Sequence, residues 1–318
     1  MTLSRQHLPL IATIAAFFAL LTAASLRYEG FFTPTIFVNL VDDNAFVGIA
    51  AIGATFVILS GGIDLSVGAV IAFASIAIAV LTESHQVDPR LAIAAVLAAG
   101  LLFGAAMGAL IHLFEMPAFL VTLAGMFLAR GAAFMISQES VQLSHPFFQH
   151  ASGVRIPLTQ SVSLPLSALT FLAVVAVAYV LATHTRLGRN IYAIGGSEQS
   201  ARLMGIAVGR SKISVYAIGG FCSALAGVVY TLYTSSGNAT AGAGLELDAI
   251  AAAVIGGTLL TGGVGYVIGT LFGVLILGII QTAITFENTV SSWWTRIAVG
   301  ALIFCFIVIQ ALINRRRE

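Results

Sequence analysis

An all-α bundle of about ten membrane-spanning helices is the fold class this sequence predicts, and three observations predict it. Hydrophobic residues fill 59% of the 318 positions and charged residues only 8%; an average soluble domain carries about 25% charge. The mean hydropathy is +1.02. Apolar runs recur along the whole length, and a helix needs about 20 such residues to span a bilayer. A transmembrane β-barrel would show short alternating strands instead. Positions 1–318 therefore read as one transmembrane domain.

The first expected span is Leu8–Leu26. Arg5 ahead of it and Thr22-Ala23-Ala24 near its end also outline a cleavable signal peptide; a retained span balances the later loops. Ala45–Leu59 and Leu65–Thr82 follow, then Leu91–Phe114 and Ala118–Ile136. Ser137 to Ser163 is polar and holds Pro146, Pro157, His145 and His150. Leu164–Ala182 resumes the spans, and a basic segment runs from Thr183 to Lys212. Ile213–Tyr233, Leu247–Leu260, Val264–Ile284 and Arg296–Ile313 complete ten, which returns both termini to one side.

Charge supports this count. Arg5, Arg186, Arg189, Arg202, Arg210, Lys212, Arg315, Arg316 and Arg317 fall on the terminal side, and Arg27, Arg90, Arg155 and Arg296 on the other. Nine against four is a positive-inside bias, so the termini are expected in the cytoplasm. Gly100, Gly104 and Gly108 form one four-residue stripe, and Gly265, Gly269 and Gly273 another. Such stripes let helices approach closely, within one subunit or at a dimer face. Ser60-Gly61-Gly62 followed by Gly68 is echoed by Thr261-Gly262-Gly263 followed by Gly269, an echo that could mark related halves.

The first of these turns is where the chain is most unusual. Ser60, Gly61, Gly62, Asp64 and Ser66 interrupt a run that is otherwise apolar from Ala45 to Leu81. A carboxylate between apolar runs is costly in lipid and must face protein, water or a surface. The segment reads either as a break between spans on a transport pathway or as a tight turn with Asp64 or Ser66 as a helix cap. Asn44, Thr55, Ser60, Thr122, Asn238 and Gln281 could offer hydrogen bonds to a neutral hydroxylated ligand. Each alone also reads as a helix–helix contact. Trp293 and Trp294 suit a membrane-interface belt or, alternatively, stacking on a sugar.

No phosphate-binding G-x-x-x-x-G-K-[ST] loop occurs, and Lys212 is the only lysine. ATP hydrolysis by this chain, catalytic residues, a metal site and nucleic-acid binding are all unsupported. The acids Asp42, Asp43, Asp64, Glu246 and Asp248 cluster at expected span ends, which weakens an ion-coupled carrier. Arg130 lies inside an expected span and needs an acid or backbone carbonyls. After the Gly195-Gly196 turn, Ser197 suits an N-cap and Glu198 a helix start. Leu203, Met204 and Ile206 then form a short apolar edge, suited to the inner leaflet or to a groove in a soluble partner.

Three stretches carry a resemblance: Ile58 to Gly68; Ile191 to Gly196 with Ala201-Arg202-Leu203-Met204-Gly205-Ile206; and Gly256 to Gly265. Together they resemble the permease subunits of bacterial ABC sugar importers of the ribose, xylose, arabinose and galactose type. Asp43 to Phe46, Thr122 to Phe127, Gln138 to Ser140 with His145-Pro146, and Ser291 to Thr295 are most similar to a galactofuranose importer permease. The resemblance implies a multi-pass inner-membrane protein of type II importer-like architecture that moves galactofuranose, or another sugar such as galactose or ribose. It implies a cytoplasmic ATPase carrying ATP and Mg, a second permease subunit forming a heterodimer, a periplasmic sugar-binding protein and surrounding lipid. It also implies that Gly195, Gly196, Glu198, Ala201, Arg202, Leu203 and Gly205 couple to the ATPase. The polar segment Ser137 to Ser163 would help dock the binding protein. The candidate substrate pathway, taken from the residues themselves, is Asn44, Ser60, Gly61, Gly62, Asp64, Ser66, Thr122, Asn238, Gln281 and Trp293.

Overall fold

The computed structural model describes residues 8–157, 159, 162–287 and 293–315. Arg5, Ser291, Ser292, Arg316 and Arg317 lie outside the described residues, as do positions 158, 160 and 161 of the polar segment.

Helix α1 (Leu8–Arg27) leads into a ten-residue helix, α2 (Pro34–Asp43). Hydropathy gives no sign of α2, because ten residues of mixed polarity are too few to span. Its start is local chemistry: Thr33 accepts a hydrogen bond from Ile36 N, and Pro34 stands in the first turn. Helix α3 (Ala45–Leu59) leaves α2 at 56°. Then come α4 (Val67–Ala79), extended by the π-helical turn Val80–Ser84, α5 (Pro89–Leu113) and α6 (Ala118–Ile136).

The polar segment carries secondary structure of its own. It contains α7 (Pro146–Gly153) and three short strands, β1 (Val141–Gln142), β2 (Arg155–Pro157) and β3 (Ser163–Pro165). Glu83 Oε1 pins it by accepting from Ser144 N and His145 N at 2.6 and 2.8 Å. Helix α8 (Leu166–His184) returns to the opposite end, where α9 (Arg186–Gly196) and α10 (Glu198–Leu203) lie. Helix α11 (Val208–Thr234) leads to β4 (Ser236–Gly237), which pairs antiparallel with β1; β2 pairs likewise with β3. Helices α12 (Leu245–Ile255), α13 (Val267–Glu287) and α14 (Trp293–Arg315) complete the chain.

Among the described residues seven helices are long and apolar enough to cross a membrane, or eight if α2 and α3 make one bent span. That differs from the ten expected. Two expected spans fall short of the required ~20 residues: Ala45–Leu59 is a 15-residue helix, and Leu247–Leu260 shrinks to the 11 residues of α12. Helix α12 stops because Gly256 and Gly257 follow it, Gly257 with φ +89°, a conformation that ends a helix. The last expected span, Arg296–Ile313, lies within the 23-residue α14.

The centre of the bundle is α3 and α4, buried on nearly every side, as expected of helices that are hydrophobic all round. Helices α1, α5, α6 and α8 present Phe18, Leu102, Phe127 and Val177 outward. The glycine stripes are spent inside the subunit. A Cβ on Gly104 would lie 2.1 Å from Tyr216 O of α11, and one on Gly273 2.0 Å from Ala252 O of α12. Arg130 finds backbone carbonyls, donating from one nitrogen to Ala239 O and Ala241 O at 2.8 and 2.6 Å.

Candidate functional site

The echoed turns meet. Leu59 O, at the end of α3, accepts from Gly263 N at 2.9 Å. Gly61, Gly262 and Gly263 have φ of +82°, +85° and +75°, which L side chains rarely adopt. The end of α9 lies between the two turns: a Cβ on Gly195 would sit 1.9 Å from Leu59 O and 2.4 Å from Gly263 N. Tyr192, one turn earlier in α9, donates its hydroxyl to Gly265 O at 2.9 Å. Three glycine pairs from distant parts of the chain thus form one backbone-to-backbone junction, with no side chains between them to absorb a displacement.

Helix α10 projects from this junction. Ser197 caps it by accepting from Ser200 N. Glu198 clamps it, with one carboxylate oxygen accepting from Arg202 at 2.7 Å and the other from Lys212 of α11 at 2.6 Å. Partial burial alone would raise the Glu198 carboxyl, but the hydrogen bonds and charges of Lys212 and Arg202 together hold it below its ordinary value. Ala201 is buried against Ile194 and Val208, and Gly205 takes φ +77° to turn the chain into α11. Leu203 and Met204 are left outside, 83% and 67% exposed. A two-residue apolar knob on a rigid base is suited to a groove in another protein.

On the bundle side of the junction the chain does not go straight into α4. Residues 60–66 are non-helical and climb back into the bundle. Asp64 is 3% exposed, and its Oδ2 faces Gly219, near the middle of the 27-residue α11. It lies deep inside, not at a span end as expected. Asp64 Oδ1 accepts from Ser66 N and Ser66 Oγ at 2.8 and 2.7 Å, a local Asx turn. Neither residue caps α4 through its side chain. Thr122 of α6 donates weakly to Ile63 O at 3.3 Å and holds the segment from the other flank.

Ser60, Gly61, Gly62, Asp64, Ser66 and Thr122 are thus gathered together, and Gly61 adjoins the α9–α10 residues. The other pathway candidates lie elsewhere. Asn44 occupies the corner between α2 and α3, where it donates to Leu40 O at 2.8 Å and packs on Gly278. Asn238 lies at the far end beside Ser75 and accepts from Thr240 N and Oγ1. Gln281 is on the exposed side of α13, and Trp293 is 71% exposed at the start of α14. Two residues that the sequence does not tie to this site also belong here: Lys212, which clamps α10, and Tyr216, whose hydroxyl lies against Gly62. Lys212 stands out in the sequence as its one lysine but carries no sign of this contact, and Tyr216 gives no signal within its apolar run.

A permease family, described as "Branched-chain amino acid transport system / permease component", matches residues 36–307. The chain belongs to this permease family. Its relatives include the "Inner membrane ABC transporter permease protein YjfF" of Escherichia coli K12, 48% identical over 96% of this chain and 92% of that protein. The "Fructose import permease protein FruG" of Bifidobacterium longum NCC 2705 is 37% identical, over 97% of this chain and 92% of that protein. The "Ribose import permease protein RbsC" of Escherichia coli K12 is also 37% identical, over 94% and 92%. No solved structure matches. The permease is therefore a multi-pass membrane transport subunit.

Proposed function

We propose that this permease is the translocating subunit of an ABC sugar importer in the bacterial inner membrane, and that its cargo is a monosaccharide, galactofuranose first among the candidates. Galactose and ribose are the alternatives. Support for the sugar class comes from the fructose and ribose named for two relatives and from the galactofuranose-type motifs in the sequence. A separate ATPase binds the ATP and Mg, a second, similar permease subunit completes the pore, and a periplasmic protein delivers the sugar. The termini and α10 are cytoplasmic, on the side favoured by the arginine bias.

The observation that carries this reading is the exposed Leu203–Met204 knob on a clamped helix joined directly to the bundle's glycine junction. ATP-driven closure of the partner pulls on α10. The junction passes the pull to residues 60–66 and to α12–α13, and the open side of the pore changes. Alternating access needs the two states to differ in affinity for what they bind.

Reconstitution of the permease with its ATPase, second permease and binding protein tests the reading. Sugar uptake into liposomes should require internal ATP and all four components. Uptake by the permease alone would overturn it. Competition among galactofuranose, galactose and ribose assigns the cargo.

A further inference from the structure

Tyr216 and Asp64 each hold a polar atom left unsatisfied. Among the described residues, the Tyr216 hydroxyl and Asp64 Oδ2 have no hydrogen-bond partner, although the two residues are only 2% and 3% exposed. The Ile63 backbone N–H approaches the hydroxyl, but a donor leaves the phenol's own proton without an acceptor. Buried polar groups are nearly always paired, and an orphan calls for an explanation. The two orphans are complementary, a phenol that donates and a carboxylate oxygen that accepts, a combination that makes a strong charge-assisted bond. They also flank the same short stretch of chain. A Cβ on Gly62 would lie 2.3 Å from the Tyr216 hydroxyl, and one on Gly219, a turn beyond Tyr216 on α11, would lie 3.7 Å from Asp64 Oδ2.

We infer that Tyr216 and Asp64 are positioning residues for transport: the hydrogen bond between Tyr216 OH and Asp64 Oδ2 is broken in this state and forms in the other. This rests on the proposed ATP-driven cycle. Each residue belongs to a part that α10 can move. Tyr216 stands one turn beyond Lys212, which Glu198 of α10 holds at 2.6 Å. Asp64 belongs to the segment that starts at the glycine junction, where Gly195 packs between the turns. A displacement of α10 therefore slides α11 along residues 60–66. In this state Oδ1 is bound to Ser66, which leaves Oδ2 as the oxygen free to exchange partners.

The test uses the full importer in liposomes. Tyr216→Phe removes the donor without adding bulk. Asp64→Asn keeps the Ser66 turn and replaces the free acceptor with an amide. Each should slow ATP-driven uptake about tenfold while the subunits still co-purify, and the double variant should be no slower than either single one, since all three lose the same bond. Infrared difference spectra with isotope-labelled tyrosine should show a tyrosine C–O band that shifts on ATP binding in the wild type and is silent in Tyr216→Phe. Additive losses, wild-type uptake by Tyr216→Phe, or no ATP-dependent band would overturn the inference, and a permanent bridging water would give that last result. A wild-type importer without ATP-driven uptake would overturn the proposed function as well.

Discussion

Gly195 and Gly196 are neighbours with opposite prospects. A methyl group on Gly195 would collide with the Leu59 carbonyl, whereas one on Gly196 would meet nothing within 4 Å. Gly195→Ala should therefore lower stability by about 1–3 kcal/mol, the usual cost of overpacking, read as a fall in Tm together with lost uptake. Gly196→Ala should behave as wild type, and equal tolerance of both would remove the junction as a rigid joint. Composition does not reveal which of 32 glycines touch backbone, because that depends on which turns fold together. Glu198 offers a pH test. Its carboxyl is depressed in the folded protein by Lys212 and Arg202. The clamp's stability is therefore fully present above the unfolded carboxyl's ordinary value of 4.5 and is lost as pH falls through the lower folded value. The pair is partly exposed, so the clamp contributes roughly 1 kcal/mol or less. ATPase stimulation by the permease should be level from neutral pH to about pH 5 as far as this group is concerned. Glu198→Lys with Arg202→Glu should uncouple ATP hydrolysis from uptake while the complex still assembles; normal uptake would remove Glu198 from the coupling.

At the scale of single elements, α10 is legible in the order of its residues: a turn, an N-cap, an acid at the start, an apolar edge. Its clamp is not, because Lys212 is fourteen residues from Glu198 and only the fold-back of α11 makes them neighbours. Replacing Leu203 and Met204 with Gln should leave the permease's own Tm unchanged, since both are already exposed. Binding of the ATPase should weaken roughly tenfold or more, the loss expected when two apolar side chains no longer bury. Undiminished ATPase binding would move the interface away from α10. Helices α2 and α12 are the elements hydropathy handles badly. One is a short amphipathic piece joined at a bend, and the other is cut short by a glycine pair that an averaged window smooths over.

For the whole molecule, the proposed cytoplasmic placement of α10 predicts which end of the bundle a reagent reaches from outside. In a background lacking Cys222 and Cys305, Gln199→Cys in α10 and Ser152→Cys in α7 report the two ends of the bundle, and both native positions are exposed. In intact spheroplasts a membrane-impermeant maleimide should label only the α7 position, and permeabilised cells should add the α10 position. The reverse pattern would invert the topology and sever α10 from any cytoplasmic ATPase.

Membrane residence, helical class, the polar interruption at Ser60–Ser66 and the permease resemblance were determined by the sequence alone. Each depends on properties read locally along the chain: length of apolar run, charge spacing, and the few residue types that permit a tight turn. Tertiary structure alone decided that the two glycine turns and α9 touch, that Asp64 lies midway along α11, and that Asn44, Asn238, Gln281 and Trp293 stand apart from them. These are facts of packing between segments tens to hundreds of residues apart, and no periodicity in one segment encodes which surface of another it will meet.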